Sequence, residues 1–185
     1  MLSDLARVLY EESAIFERLD AVAADITRDY QGKELTVVAV LNGSFMFMAD
    51  LLRRIPLPLR VDCVSVASYH GGVESSGRVT FDQLTPPDVR GRHVLILDDI
   101  LDSGRTLDAI QQRLANEGTL SLRTCVLLRK QKSRARPVDA DYVGFDIADE
   151  FVVGYGLDFQ EKYRNLRCLG VLRPQIVEAA LAHAP

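Results

Sequence analysis

The sequence predicts an α/β fold, a mostly parallel twisted sheet flanked by helices. Three observations carry that reading. Continuous apolar runs rich in β-branched residues stand at 35–41 (LTVVAVL), 93–100 (HVLILDDI) and 123–130 (RTCVLLRK), and strands apolar on both faces belong to sheets covered from both sides. Helix-period segments alternate with these runs, which is what parallel crossovers need. The chain has 185 residues, a size that one hydrophobic core serves well, so a single domain over 1–185 is expected.

Taken in order, Leu5, Val8 and Leu9, then Ile15, Phe16, Leu19, Val22 and Ile26, recur at helical spacing. Two helices broken near 11–13 are therefore expected between about residues 3 and 30. The 35–41 strand ends at Asn42-Gly43, and SFMFMADLLRR (44–54) reads as a buried helix stopped before Pro56. VDCVSVASY (61–69) is the second strand and 93–100 the third. TLDAIQQRLANEG (106–118) follows as a helix, with Leu107, Ile110 and Leu114 on one face and Gly118 as its stop. The fourth strand is 123–130, and YVGFDI (142–147) reads as a fifth. FVVGYG (151–156) is a short extended run, and LRCLGVL (166–172) a late strand before a C-terminal helix from Pro174. The long connection at 70–91 reads as a mobile hairpin.

Composition narrows the function classes. With 48% hydrophobic and 26% charged residues the chain is in the ordinary globular range, which counts against disorder and fibrous repeats. A net charge of −4 counts against a non-specific grip on nucleic-acid phosphates while leaving room for a small anionic ligand. Cys63, Cys125 and Cys168 are odd in number, far apart and set in apolar runs, so reduced buried thiols are expected rather than a disulfide framework or a zinc site. The N-terminus carries acids where a signal peptide carries basic residues, and no apolar run approaches the roughly 18 residues that cross a bilayer. A cytoplasmic protein without a membrane partner is expected.

In parallel sheets covered by helices, ligands bind beyond the carboxyl ends of the strands. That rule gathers Asn42-Gly43, Ser68-Tyr69, the stretch from Asp98 to Thr106, and Lys130 on one rim. Within LILDDILDSGRT (95–106), Ser103 to Thr106 open a helix, whose free backbone amides and dipole favour an anion. Gly104 permits close approach, and the Ser103 and Thr106 hydroxyls add donors. The plainer alternative is that Asp102 or Ser103 simply caps the helix. Three carboxylates beside a bare phosphate would repel it, so the ligand must also carry hydroxyls, a cation or a proton to be removed. A phosphorylated sugar meets these demands.

Two acids (Asp98, Asp99), two aliphatics (Ile100, Leu101), then Asp102, Ser103, Gly104, Arg105 and Thr106 after an apolar strand resemble the phosphoribosyl pyrophosphate loop of type I phosphoribosyltransferases. Leu41-Asn42-Gly43-Ser44, Ser68-Tyr69, Lys130 and DYVGFDIADEFVVGYGLDFQEKYRNL (141–166) extend the resemblance to the hypoxanthine-guanine branch of that family, from about residue 35 onward. The resemblance implies the type I phosphoribosyltransferase fold, with a small hood from the N-terminal and C-terminal segments and a mobile lid hairpin at about 69–91. It implies purine salvage with Mg2+ as cofactor. The implied ligands are phosphoribosyl pyrophosphate, a purine base and the nucleoside monophosphate, with no nucleic acid or membrane partner, in a homodimer or homotetramer.

The same resemblance implies residue roles. The loop, with Ile100 and Ser103 to Thr106, cradles the 5′-phosphate, and Asp98 and Asp99 take the ribose hydroxyls. Adjacent strand residues point to opposite sides, so both acids reach the ribose only if the strand twists or ends there. Asp102 corresponds to the base and acid at purine N7, and a bound anion beside it is expected to raise its pKa. Lys130 corresponds to the donor to the purine oxygen at position 6, which selects hypoxanthine or guanine over adenine. Phe151 corresponds to the stacking ring, Val152 to the residue whose backbone reads the base edge, Asp158 to the metal carboxylate and Arg164 to a pyrophosphate contact. Asn42 and Gly43 present amides to the pyrophosphate, although many members of the family carry a basic residue at the position of Asn42. Two rival readings compete. A receiver domain would use Asp98 and Asp99 for magnesium and phosphorylate Asp146, and a nucleotide-sensing regulator would reuse the fold to bind nucleic acid.

Overall fold

The apolar runs at 35–41, 93–100 and 123–130 lie side by side as the central strands of a sheet. The structure, a computed structural model, describes residues 1–67, 80–81 and 87–182. Its elements in chain order are β1 (Leu5–Tyr10), α1 (Glu12–Tyr30), β2 (Leu35–Leu41), α2 (Phe45–Leu52), β3 (Leu59–Ala67), β4 (Thr80–Phe81) and β5 (His93–Leu101). Then follow α3 (Arg105–Ala115), β6 (Ser121–Lys130), β7 (Tyr142–Ile147), β8 (Val152–Val153), β9 (Leu169–Leu172) and α4 (Pro174–Ala182).

The larger sheet runs β4-β3-β2-β5-β6-β7. All its pairings from β3 to β7 are parallel, and β4 returns antiparallel at one edge, with Val66 opposite Phe81 and Ala67 opposite Thr80. Alternate residues of each strand enter opposite cores. Val37, Ala39, Leu95 and Leu97 join Ile15, Leu19, Val22 and Ile26 of α1 and Phe47 and Leu51 of α2. Val38, Val40, Val94 and Ile96 join Leu107, Ile110 and Leu114 of α3. Each such leucine or isoleucine contributes about 1.5–3 kcal/mol of transfer free energy. Continuous apolarity in the sequence is thus the mark of a sheet with a core on each face.

The N-terminal segment departs from the expected pair of helices. Only 12–30 is α-helical, while 5–10 is a strand that pairs antiparallel with β9, Leu5 opposite Leu172 and Tyr10 opposite Leu169. Register shifts fall between Leu5 and Arg7 and between Val8 and Tyr10. An extra residue in a strand stretches its alternation beyond two, so Leu5 and Leu9, both packed on apolar neighbours, stand four apart as in a helix, while Val8 is exposed. β8 joins the other side of β9, giving a second, three-stranded antiparallel sheet, β1-β9-β8, from the two ends of the chain. Leu5, Val153, Leu166, Cys168 and Leu172 form its core.

Smaller departures have similar causes. α2 buries one face only, with Phe47 and Leu51 inside and Phe45 and Met46 exposed. The late strand shortens to 169–172, because 166–168 lead into it without joining a ladder. Cys125 and Cys168 are buried thiols and Cys63 is half-buried. Ser68, Tyr69 and most of the proposed lid, 70–79 and 82–86, lie outside the described residues. Among the described residues no helix is long and apolar enough to cross a membrane.

Candidate active site

The site begins where strands stop pairing. β2 accompanies β5 only as far as Ala39 opposite Leu97, whereas β6 accompanies it to Leu101 opposite Arg129. Beyond Leu97, β5 therefore overhangs β2, and its last residues border a cavity of about 1030 Å³. Asp98, Asp99, Ile100, Asp102, Ser103, Gly104 and Thr106 form one wall of it, and Asn42 and Gly43 another. Phe151, Asp158 and Arg164 close it from the segment after β7. Of the other expected residues, Arg105, Lys130 and Val152 stand outside these walls, and Ser68 and Tyr69 lie outside the described residues.

Two glycines shape the junction. Gly104 precedes α3 with φ +78°, a left-handed conformation that costs other residues, and a Cβ there would stand 3.0 Å from the Arg136 carbonyl oxygen. The first turn of α3, whose opening amides have no helical acceptor, borders the cavity through Thr106 and Leu107. Ser103 Oγ accepts the Arg105 N–H at 3.4 Å, so the capping alternative accounts for one of them. At Gly43, a Cβ would fall 1.7 Å from Asp99 Oδ2. The bare backbone lets the Asp99 carboxyl fold against the turn, which is how two successive strand residues, expected to diverge, both border one cavity.

The acids differ in electrostatics. Asp98 is buried, and its Oδ1 accepts the Asp99 backbone N–H at 3.0 Å. Burial, reinforced by the neighbouring Asp99, pushes its carboxyl well above the usual range, and burial raises Asp99 also. Such a pair holds a proton at higher pH than free carboxylates do, and it both donates to and accepts from hydroxyls. Asp102 behaves oppositely. Burial pushes it up, but hydrogen bonds from Lys132 and Lys130 outweigh burial and hold it below the usual range. In the chain alone, the raised value expected beside a bound anion is therefore reversed.

Those lysines belong to a compact charge cluster. Lys130 Nζ lies 3.1 Å from Asp102 Oδ2 and 3.1 Å from Asp149 Oδ1. Lys132 Nζ lies 2.5 Å from Asp102 Oδ1 and 3.0 Å from Asp149 Oδ1. Lys130 thus meets the site through Asp102, and its side chain is 11% exposed. Across the cavity Arg164 pairs with Asp158 at 2.8 Å and donates to the Gly156 carbonyl at 2.9 Å, while Asp158 Oδ2 accepts the Glu161 N–H at 2.9 Å. Phe151, 44% exposed, packs edge-on against Phe159 with ring centroids 5.1 Å apart. Val152 is buried opposite Val171.

Residue reading alone passes over Lys132, Asp149 and Phe159. Lys132 looks like part of a solvated basic run, and only the spacing of Phe159 after Phe151 in an aromatic-rich stretch hints at it. Asp146, the acceptor in the receiver reading, is instead bound by Arg129 at 2.6 and 3.1 Å and is not a cavity wall. Among the described residues no cluster of three or more His, Cys, Asp or Glu side chains is arranged to hold a metal by itself.

Comparison with known proteins agrees with this geometry. Residues 7–160 match the phosphoribosyl transferase domain. The chain is 44% identical over 176 residues to the hypoxanthine-guanine phosphoribosyltransferase of Staphylococcus aureus, covering 95% of this chain and 98% of that one. It is 40% identical over 174 residues to the enzyme of that name from Streptococcus pneumoniae, covering 94% and 97%. Among solved structures, a hypoxanthine phosphoribosyltransferase from Staphylococcus aureus has a TM-score of 0.91 at 44% identity over 95% of this chain and 96% of that one. One from Trypanosoma cruzi has a TM-score of 0.88 at 39% identity, covering 95% and 99%.

Proposed function

The chain belongs to the phosphoribosyl transferase domain family, and from that premise we propose that it moves the 5-phosphoribosyl group from phosphoribosyl pyrophosphate onto hypoxanthine or guanine. The products are IMP or GMP and pyrophosphate. One observation carries the reading: the Asp98, Asp99 and Asp102 carboxyls and the first turn of α3 wall the same cavity. An anion site beside hydroxyl-binding acids describes a phosphorylated sugar. The relatives are enzymes by name, which favours this reading over a nucleic-acid regulator.

In the proposed mechanism the amides from Ser103 to Thr106 hold the 5′-phosphate, and Asp98 and Asp99 take the ribose hydroxyls. The Asn42-Gly43 amides and Arg164 receive the pyrophosphate, the guanidinium matching a pair of phosphate oxygens. Phe151 stacks on the base, the Val152 backbone reads its edge, and Lys130 donates to its oxygen at position 6. The C1–O bond breaks with its electron pair leaving on pyrophosphate, through a sugar with oxocarbenium character. N9 of the base bonds to C1, and Asp102 accepts the N7 proton.

Magnesium fits this donor set. An ion carried largely by substrate phosphates needs only one or two protein carboxylates, and Asp158 supplies one on the cavity wall beside Arg164. When bound, the ion neutralises charge on the departing pyrophosphate. A dimer or tetramer belongs to the same proposal, supported by the exposed Phe45 and Met46 of α2 and checked by analytical ultracentrifugation. The central test is pyrophosphate release with phosphoribosyl pyrophosphate, magnesium and each of five nucleobases. Turnover with hypoxanthine and guanine is expected, and turnover with adenine alone overturns the reading.

A further inference from the structure

The four-charge cluster holds one lysine more than purine recognition needs. Lys130 ends β6, where its pairing opposite Ile147 fixes it in the sheet. A tight turn follows, with the Lys132 N–H on the Lys130 carbonyl at 3.1 Å, and it brings the second ammonium back to the same two carboxylates. Asp149, just past the end of β7, receives both lysines at 3.0–3.1 Å. Two neighbouring strand ends therefore supply a closed ring of alternating charge around Asp102.

We propose that Lys132, braced by Asp149, is a positioning residue that fixes the charge and aim of the Asp102 carboxylate independently of Lys130. The proposal rests on the reading of Asp102 as the proton acceptor. Each ammonium has three donors, and Lys130 spends two of them on Asp102 and Asp149. When the third turns to a purine oxygen, Lys130 is shared between substrate and base, and its hold on Asp102 weakens. Lys132 keeps the carboxylate paired through that step. Two lysines and two aspartates also cancel in charge, so a proton arriving on Asp102 leaves the ring positive and is readily returned, which suits a reversible exchange. The groups that face Asp102 are Lys130 and Lys132 from the end of β6 and Asp149 from the segment after β7. Arg136, nearby on the loop that packs on Ser103, turns to Asp108 instead.

The test is the titration of Asp102 in the full chain, followed by carbon-13 NMR of labelled aspartate carboxyls, with Asp102→Asn assigning the signal. In Lys132→Met, which keeps the aliphatic stem, the Asp102 midpoint should rise by about one pH unit, and the acid limb of kcat/KM should move the same way. Lys132→Arg should return both toward the original values, a rescue that a purely structural role would not give. An unmoved Asp102 midpoint in Lys132→Met, alongside an inactive Asp102→Asn, overturns the positioning role alone. An Asp102→Asn chain that retains full turnover overturns the reading beneath it, whatever Lys132 does.

Discussion

The two ends of the proposed site are made of different material. At the end assigned to the phosphate the donors are main-chain N–H groups, at a helix start set by the left-handed φ of Gly104. At the end assigned to the base they are side-chain charges, Asp102 on the cavity wall with Lys130, Lys132 and Asp149 behind it. A backbone site depends on shape and tolerates changes of side chain so long as no Cβ intrudes. A charge ring tolerates small changes of shape and fails when one charge is removed.

The largest effect should come from removing the acceptor at the base end. Asp102→Asn is expected to lower kcat by about 10²–10⁴-fold with an unchanged circular dichroism spectrum and little change in KM for phosphoribosyl pyrophosphate. Lys130→Met comes next. Losing a charged donor to position 6, about 1.5–3 kcal/mol, while leaving Asp102 and Asp149 with one cation should cost about 10–150-fold in kcat/KM for hypoxanthine, read by varying the base at saturating sugar. Gly104→Ala sharpens the contrast from the other side. A Cβ at left-handed φ and 3.0 Å from the Arg136 carbonyl should cost about 1–2 kcal/mol of stability. It should raise KM for phosphoribosyl pyrophosphate about tenfold, a loss of ~1.4 kcal/mol in binding, and leave KM for the base alone. A Gly104→Ala chain that loses base affinity instead would show that the two ends are not separable.

How much of this was legible in the sequence follows the same division. Asp98 to Thr106 are contiguous, so the phosphate end shows itself as a string of residues, and the doubly apolar strands around it announce the parallel sheet. The charge ring comes from three separated places, 102, 130–132 and 149, and only the order β5-β6-β7 sets those strand ends side by side. Lys132 within RKQKSRARP carries no local mark of its role. β1 reads as a helix in the sequence because its register shifts set the apolar residues Leu5 and Leu9 four apart. The turn after Asp158 was hidden for another reason. Gln160, Glu161 and Tyr163 adopt positive φ of 51°, 60° and 75° without being glycine, and such residues seldom advertise a left-handed turn.

The smallest effect separates ligand binding from stability at Asp98, one of the two acids proposed to hold the ribose. Because burial raises the folded pKa of Asp98, the folded chain binds this proton more tightly than the unfolded chain does. Stability is then lost as pH rises from the ordinary carboxylate value through the folded one, so above the ordinary value the buried acid disfavours the folded chain. Asp98→Asn removes that titration and keeps an oxygen able to accept the Asp99 N–H. Its Tm at pH 7 should rise by about 2–4 °C, the response of a domain of this size to ~1 kcal/mol, with the gain shrinking below about pH 4, where the acid is protonated in both states. Activity should fall at the same time, since the amide cannot serve a ribose hydroxyl as the carboxyl does. A lower Tm at pH 7 would show that the contacts of the Asp98 carboxyl outweigh the cost of its burial. The ribose end would then resemble the base end, where Lys132 and Lys130 pair with Asp102, rather than standing as an acid whose charge its own fold leaves for a ligand to use.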